Sequence, residues 1–184
     1  RPRVVRAGRS NVVTEMELRD AGTDALVGYS TMTSAVLSTE VPQMYDPRIV
    51  TRAMRSAYTP SGDFYDELGL RWGETFGPDN GPGARLEVRP WLGNTMGMLH
   101  GGCTIMLVEA AALAAAAHEC GATTPVAVVD AHVRYLNGAR VGPVVAGATL
   151  VGRDGDAMSV RVLQRDCGSD RTTAIATARV SIGR

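Results

Sequence analysis

The sequence lacks lysine altogether, so arginine carries all of its formal positive charge. The 19 arginine side chains are balanced by 19 aspartate and glutamate side chains, which leaves a net charge of zero. The chain therefore has no excess of positive charge, and it contains no run of basic residues. We expect neither nucleic acid nor an anionic membrane surface to be its main partner.

Cysteine is scarce, and the three that occur, Cys103, Cys120 and Cys167, do not have the spacing of metal ligands. No signal peptide is visible, and the first residue is Arg1 rather than methionine. We therefore expect a reducing, cytoplasmic location, no resident metal or redox cofactor, and further sequence ahead of Arg1.

Hydrophobic residues make up 45% of the chain, which is ample for a packed core, and one stretch stands out. Between residues 103 and 117 only Thr104 and Glu109 are not hydrophobic. A helix that is apolar all round is buried or spans a membrane, and this run is shorter than the roughly 20 residues of a span. The pattern predicts a core helix that buries a carboxylate. Burial of an unpaired carboxylate is costly, so Glu109 is either functional or paired with an arginine in a structural role.

Strand patterns surround this helix. Shorter helices are predicted at residues 48–58 and 63–70, and a strand at 84–91. Antiparallel strands with intervening turns are predicted after the helix at residues 126–136, 144–153, 157–165 and 172–182. A long apolar helix followed by such strands, without β-α-β alternation, predicts an α+β fold in which an antiparallel sheet curls around the helix.

The N-terminal region repeats the C-terminal one. Two strands are predicted at residues 4–17 and 25–37, and the turn between them, at residues 19–24, matches residues 165–170 at an offset of 146. The flanking strands match without a gap. We interpret residues 1–37 as the last strands of an incomplete first unit, 38–60 as a linker with a short helix, and 61–184 as the complete second unit.

One local pattern carries chemical information. Asn94, then His100-Gly101-Gly102, then Glu109 nine residues after the histidine resembles the hotdog-fold acyl-CoA thioesterases of the PaaI-like group. The resemblance covers about residues 61–184. It implies a hotdog domain that hydrolyses an acyl-CoA thioester to free acid and CoA, with CoA as part of the substrate rather than a cofactor. It also implies a homo-oligomer formed by hotdog pairing, and a double-hotdog protein in which residues 1–37 close the other hotdog.

The residues fit this chemistry individually. Thioester hydrolysis needs a donor for the developing oxyanion and a base or nucleophile. Gly101 would present a bare N–H at the helix start, and the resemblance implies the same role. Glu109 would attack the thioester carbon or deprotonate a water. Asn94 would orient that water or contact the carbonyl, unless it is an ordinary turn residue. His100 would be a second carbonyl donor or would fix the loop.

Gly102, Arg134 and Arg140 are the candidate substrate-binding residues, because arginines and backbone N–H groups bind phosphates such as those of CoA. Relatives often carry a serine or threonine that assists the attacking water, but the matching positions here are Val128 and Leu113. Two alternatives therefore remain. One is a non-catalytic hotdog that binds acyl-CoA or mediates assembly. The other is an acyl hydratase or dehydratase, although those enzymes place the histidine and the acid further apart.

Overall fold

The computed structural model describes residues 2–36, 63–94, 96–121 and 123–183. The chain divides into two compact units, residues 1–43 and 44–184. The helix predicted at 48–58 lies outside the described residues. The assignment of residues 1–37, 38–60 and 61–184 to separate domains stays a prediction.

The N-terminal unit is a three-stranded antiparallel sheet with the order β1-β2-β3. Its strands are β1 (Pro2–Ala7), β2 (Asn11–Arg19) and β3 (Leu26–Ala35). The prediction of one continuous strand over residues 4–17 is wrong. The chain turns at Gly8, whose N–H donates to the Asn11 carbonyl at 2.8 Å, and this turn pairs the two halves of the predicted strand with each other.

The described part of the C-terminal unit has two α-helices and a six-stranded sheet with the order β4-β5-β7-β8-β9-β6, in which every adjacent pair is antiparallel. Its elements are α1 (Phe64–Leu68), β4 (Arg71–Gly73), β5 (Gly83–Leu86), α2 (Gly101–Cys120), β6 (Val126–Tyr135), β7 (Val144–Asp154), β8 (Ala157–Asp166) and β9 (Arg171–Ile182). Short 3-10 helices cover Pro78–Asn80 and Pro90–Leu92. The fold is the predicted one, a curled antiparallel sheet wrapped around a long central helix.

The strands after α2 were predicted to within one residue at each end. The strand predicted at residues 84–91 is shorter than expected: it ends at Leu86, and a 3-10 helix begins at Pro90, which has no N–H to donate to a strand ladder. β4 was not predicted. A three-residue strand is too short to show a periodic pattern.

Helix α2 forms the core of this unit. Its buried residues are Leu107, Val108, Cys103, Thr104 and six alanines, and the inward side chains of the sheet, such as Val160 and Val162, are also buried. Among the described residues α2 is the one helix with the length and composition of a membrane span, and it lies inside the sheet. The expectation that it is buried on every side is wrong. Ile105 is 47% exposed, and Glu109 is partly exposed.

The repeat seen in the sequence recurs in the strand pairing. Pro2 pairs with Met16 in the N-terminal sheet, and Ala148 pairs with Val162 in the C-terminal sheet. Both residues of the second pair lie 146 positions after their counterparts in the first pair. Both pairing irregularities recur at matching positions, one after Val4 and Leu150 and the other after Leu18 and Gln164. The β1–β3 sheet therefore has the same register and the same irregularities as β7–β9.

Candidate active site

The start of α2 leaves one backbone donor free. His100 is the N-cap, and its Nδ1 accepts the Gly102 N–H at 3.0 Å. The His100 carbonyl accepts the Cys103 N–H at 2.9 Å. Among the described residues no acceptor lies within hydrogen-bond distance of the Gly101 N–H. Gly101 thus presents an unpaired donor at the positive end of a 20-residue helix, as predicted from its position.

His100 therefore has a defined role in the fold. Because Nδ1 accepts a hydrogen bond, the proton of the neutral ring is on Nε2. The ring caps the helix and occupies the Gly102 N–H, so that amide is not available to a substrate phosphate. The side chain is exposed, and its Nε2–H remains the second donor expected beside Gly101.

Asn94 shapes the loop that leads to this helix. Its Oδ1 accepts the N–H groups of Met96 at 2.9 Å and Met98 at 3.1 Å. Its own N–H donates to the Met98 carbonyl at 2.7 Å. These contacts correspond to the turn role considered for Asn94, and they leave its amide NH2 group as the part that can face a ligand.

Glu109 lies on the exposed stripe of α2. Its Oε2 accepts a hydrogen bond from the Tyr65 hydroxyl at 3.3 Å. In the part of the chain that the structure describes, no arginine or histidine forms an ion pair with it. The structural alternative, a glutamate neutralised by an arginine, therefore receives no support from the described residues.

Gly101, Ile105 and Glu109 follow one another at intervals of four residues and so share one face of α2. A rise of about 1.5 Å per residue separates Gly101 from Glu109 by roughly 12 Å along the axis. Helical side chains lean toward the N-terminus, so the carboxylate lies nearer the Gly101 amide than its Cα does. The partly exposed Ile105 provides an apolar surface between the two polar groups.

Two tyrosines contact this face, and both were missed by sequence reasoning. Tyr65 comes from α1, and Tyr135, at the end of β6, donates its hydroxyl to the Gly101 carbonyl at 3.0 Å. Burial raises the pKa of the Tyr135 hydroxyl, so it remains a donor. Tyr65 is 44 residues from Glu109 in the sequence, and Tyr135 is 34 residues from Gly101, and no local sequence pattern connects residues so far apart.

The two arginines predicted to bind substrate, Arg134 and Arg140, differ in their surroundings. Arg140 donates from Nη1 to the Met96 carbonyl at 3.0 Å, and it lines a cavity of about 290 Å³ together with Asn94 and Arg89. Arg89 is a further cation that the sequence did not single out. Arg134 is exposed on β6 next to Tyr135, and no contact ties it to the cavity.

Other reactive side chains near α2 are accounted for. Cys103 is 7% exposed, and burial raises the pKa of its thiol, so it does not resemble a catalytic nucleophile. Leu113 and Val128, which stand where relatives have hydroxyl groups, are partly buried and pack beside or against the core. Among the described residues no group of three or more histidine, cysteine or carboxylate side chains is placed to hold a metal ion.

Comparison with known proteins identifies the domain. The family model described as "Thioesterase superfamily" matches residues 96–167, from the loop before α2 into the turn after β8. The solved structure of AziG from S. sahachiroi is 30% identical, with a TM-score of 0.57, and the match covers 67% of this chain and 98% of AziG. No curated protein matches the sequence.

Two further solved structures have the same fold. A putative esterase from Mycobacterium tuberculosis is 28% identical over 66% of this chain and 96% of its own, with a TM-score of 0.51. A Bacillus halodurans protein, whose crystal structure contains CoA, is 17% identical over 76% of this chain and 85% of its own, with a TM-score of 0.57. The family match, the curled sheet and the central helix together show that the chain contains a domain of the thioesterase superfamily with the hotdog fold.

Proposed function

We propose that this protein hydrolyses acyl-CoA thioesters to a free acid and CoA, at a site built on the exposed face of α2. The observation that carries the proposal is the unpaired Gly101 N–H at the helix start, with the Glu109 carboxylate two turns along the same face. These two groups can serve as the oxyanion donor and as the base or nucleophile that thioester hydrolysis requires.

The chemistry follows from these positions. The thioester oxygen accepts the Gly101 N–H, and the helix dipole stabilises the negative charge that develops on that oxygen. Glu109 takes a proton from a water whose oxygen attacks the carbonyl carbon, or its own oxygen attacks that carbon to form an anhydride that water then cleaves. In both routes the C–S bond breaks, and the sulfur leaves as the CoA thiol after it gains a proton.

Two observations support CoA as the group that carries the acyl chain: a structural neighbour that contains CoA, and two arginines beside the candidate site. The B. halodurans neighbour was crystallised with CoA. In this chain, Arg89 and Arg140 line one cavity beside the loop that leads to Gly101, and guanidinium groups bind phosphates well. We assign phosphate contacts to these two arginines, and we retain Arg134 as a more distant candidate.

The test measures hydrolysis of short, medium, long-chain and aryl CoA esters by the full chain, with detection of the released thiol. We expect turnover of at least one ester, and a loss of at least 100-fold in kcat for Glu109→Gln, since general base or nucleophilic catalysis contributes at least this much. Glu119→Gln, an exposed glutamate at the end of the same helix, is the matched control and should keep wild-type kcat. Acyl-CoA binding without turnover would instead support the binding-module alternative.

We further propose that the chain belongs to the PaaI-like group and that residues 1–37 are the closing strands of an incomplete first hotdog, so that the chain is part of a double-hotdog protein. The identical register and pairing irregularities of β1–β3 and β7–β9 support this proposal. In β8 and β9 the side chains that face α2 are buried, for example Val162 and Ala178. Their counterparts Met16 and Met32 are apolar but 41% and 56% exposed, as expected for a face that a central helix normally covers.

Oligomerisation and location complete the proposal. β6 is an edge strand with an exposed Val129, and such edges pair with another strand unless they are blocked. We propose a homo-oligomer formed through hotdog pairing, in a cytoplasmic location and without a resident cofactor. Sedimentation of the full chain as a monomer at micromolar concentration would contradict the oligomer.

A further inference from the structure

Among the residues that the structure describes, Tyr65 is the one hydrogen-bond partner of the Glu109 carboxylate, and no sequence pattern indicated it. We propose that Tyr65 is a positioning residue, which orients the Glu109 carboxylate for attack or proton abstraction in the hydrolysis proposed above. This inference rests on that proposed function. It makes α1 part of the active site and names the source of a hydroxyl group that Leu113 and Val128 do not supply.

The position of Tyr65 is fixed by the ends of its short helix. The Asp63 carboxylate accepts the Tyr65 N–H at 2.8 Å and caps the helix start. Gly69 ends the helix with a φ of 72°, a conformation that favours glycine, and the Leu70 N–H donates to the Tyr65 carbonyl at 2.9 Å. Leu68 and Leu70 are 8% and 2% exposed and anchor the segment in the core.

The aromatic ring adds a second constraint. Tyr65 is partly buried and packs against the hydrophobic core cluster. This packing restricts the ring, and so it restricts the position of the hydroxyl group that contacts Glu109 on α2. A glutamate side chain has three rotatable bonds and many accessible rotamers, and a fixed donor restricts them. With Oε2 bonded to Tyr65, the other oxygen, Oε1, has no hydrogen-bond partner among the described residues and is the one that can accept from a water or attack a thioester.

The protonation of Tyr65 defines what it can do. Burial first, and then the negative charge of Glu109, raise the pKa of Tyr65 to about 12. The hydroxyl therefore keeps its proton through the neutral range and acts toward the carboxylate as a donor. It is not available as a general base, which leaves that role to Glu109.

The first experiment is kinetic. Tyr65→Phe keeps the packed ring and removes only the hydroxyl group, so we expect an unchanged melting temperature, a KM within about twofold of wild type, and a kcat about 10- to 100-fold lower, the range for loss of a hydrogen bond to a charged group. Adding Tyr65→Phe to Glu109→Gln should cost nothing more, because the effect acts through the carboxylate. The matched control is Tyr29→Phe, which removes a hydroxyl that hydrogen-bonds Glu15 in the N-terminal sheet, and it should keep wild-type kcat.

The second measurement separates this inference from the proposed function. In the ¹³C-labelled full chain, the Glu109 carboxyl resonance should move in Tyr65→Phe and stay in place in Tyr29→Phe. A wild-type kcat in Tyr65→Phe, in a chain that does hydrolyse CoA esters, overturns the positioning role and leaves the proposed function intact. An unmoved carboxyl resonance overturns it as well. If the wild-type chain hydrolyses no ester, the proposed function fails and the catalytic role of Tyr65 fails with it, whatever the resonance does.

Discussion

Replacement of Gly101 by proline removes the proposed oxyanion donor with little other change. Gly101 is the first helical residue after the His100 cap, and proline is favoured there because the N–H of that position has no intrahelical partner. His100 has φ −61° and ψ 139°, the extended conformation that a residue before proline prefers. A Cβ at position 101 would lie 3.4 Å from the Tyr135 hydroxyl oxygen, an ordinary van der Waals contact.

The expected effect on stability is therefore small. A proline that fits the native conformation restricts the unfolded chain and changes stability by about 0.4–1 kcal/mol in the favourable direction. The effect on catalysis should be large. Removal of one oxyanion donor costs about 10²–10³ in kcat, or roughly 2.7–4 kcal/mol of transition-state stabilisation.

The assay compares Gly101→Pro with Gly101→Ala, which adds a Cβ but keeps the N–H. We expect both variants to melt close to wild type, Gly101→Ala to retain most of its kcat on the preferred CoA ester, and Gly101→Pro to lose at least 100-fold. If Gly101→Pro melts normally and its kcat is within threefold of Gly101→Ala, the Gly101 N–H does not bind the oxyanion. The donor would then have to be sought elsewhere, first at His100 Nε2.

Two further predictions concern the sheets. If a helix covers the face of the β1–β3 sheet that carries Met32, Met32→Asp should accelerate amide hydrogen exchange in β2 and β3, whereas Thr33→Asp on the opposite face should not. Equal exchange rates in the two variants would contradict the assignment of residues 1–37 to a first hotdog. The pKa of Asp166 is about 2, because hydrogen bonds from backbone N–H groups outweigh the opposing effect of burial. Asp166 should therefore contribute about 2 kcal/mol to the free energy of unfolding above pH 4, and this contribution is lost as the pH falls toward 2. Asp166→Asn should remove that pH dependence in urea unfolding, while Asp154→Asn, at an exposed position at the end of β7, should leave it in place.

The fold was predictable because its main elements have local signals. Helix α2 shows a long run, residues 103–117, in which only Thr104 and Glu109 are not hydrophobic, and β6 to β9 alternate between turns rich in glycine and aspartate. The break between β1 and β2 was missed because Gly8 interrupts a stretch whose flanks continue the same alternation. Periodicity over a window does not distinguish one long strand from a hairpin with a tight turn.

The arrangement of the candidate site was predictable only in its local part. Gly101, His100 and Glu109 lie within one helix and its cap, so their spacing in the sequence is also their spacing in space. Burial of Glu109 was overestimated, because composition shows how apolar a helix is but not which of its faces the sheet leaves open. Tyr65 and Tyr135 reach this face from other elements, and only the tertiary packing brings them there.

The two sheets share one register, but the matching aspartates Asp166 and Asp20 have different hydrogen-bond partners, and those of Asp166 connect the core to the candidate site. Asp166 accepts the N–H groups of Arg140, Val141 and Gly142, whereas the described partners of its counterpart Asp20 all lie within its own turn. The segment that Asp166 holds also contacts the loop before α2, since the Leu99 N–H donates to the Ala139 carbonyl and Arg140 Nη1 donates to the Met96 carbonyl. A buried carboxylate in β8 thus sets the position of the loop that delivers Gly101. The placement of Arg140 at the cavity follows from this core interaction as much as from any ligand, and for that reason a substitution at Asp166 should disturb the site as well as the stability of the sheet.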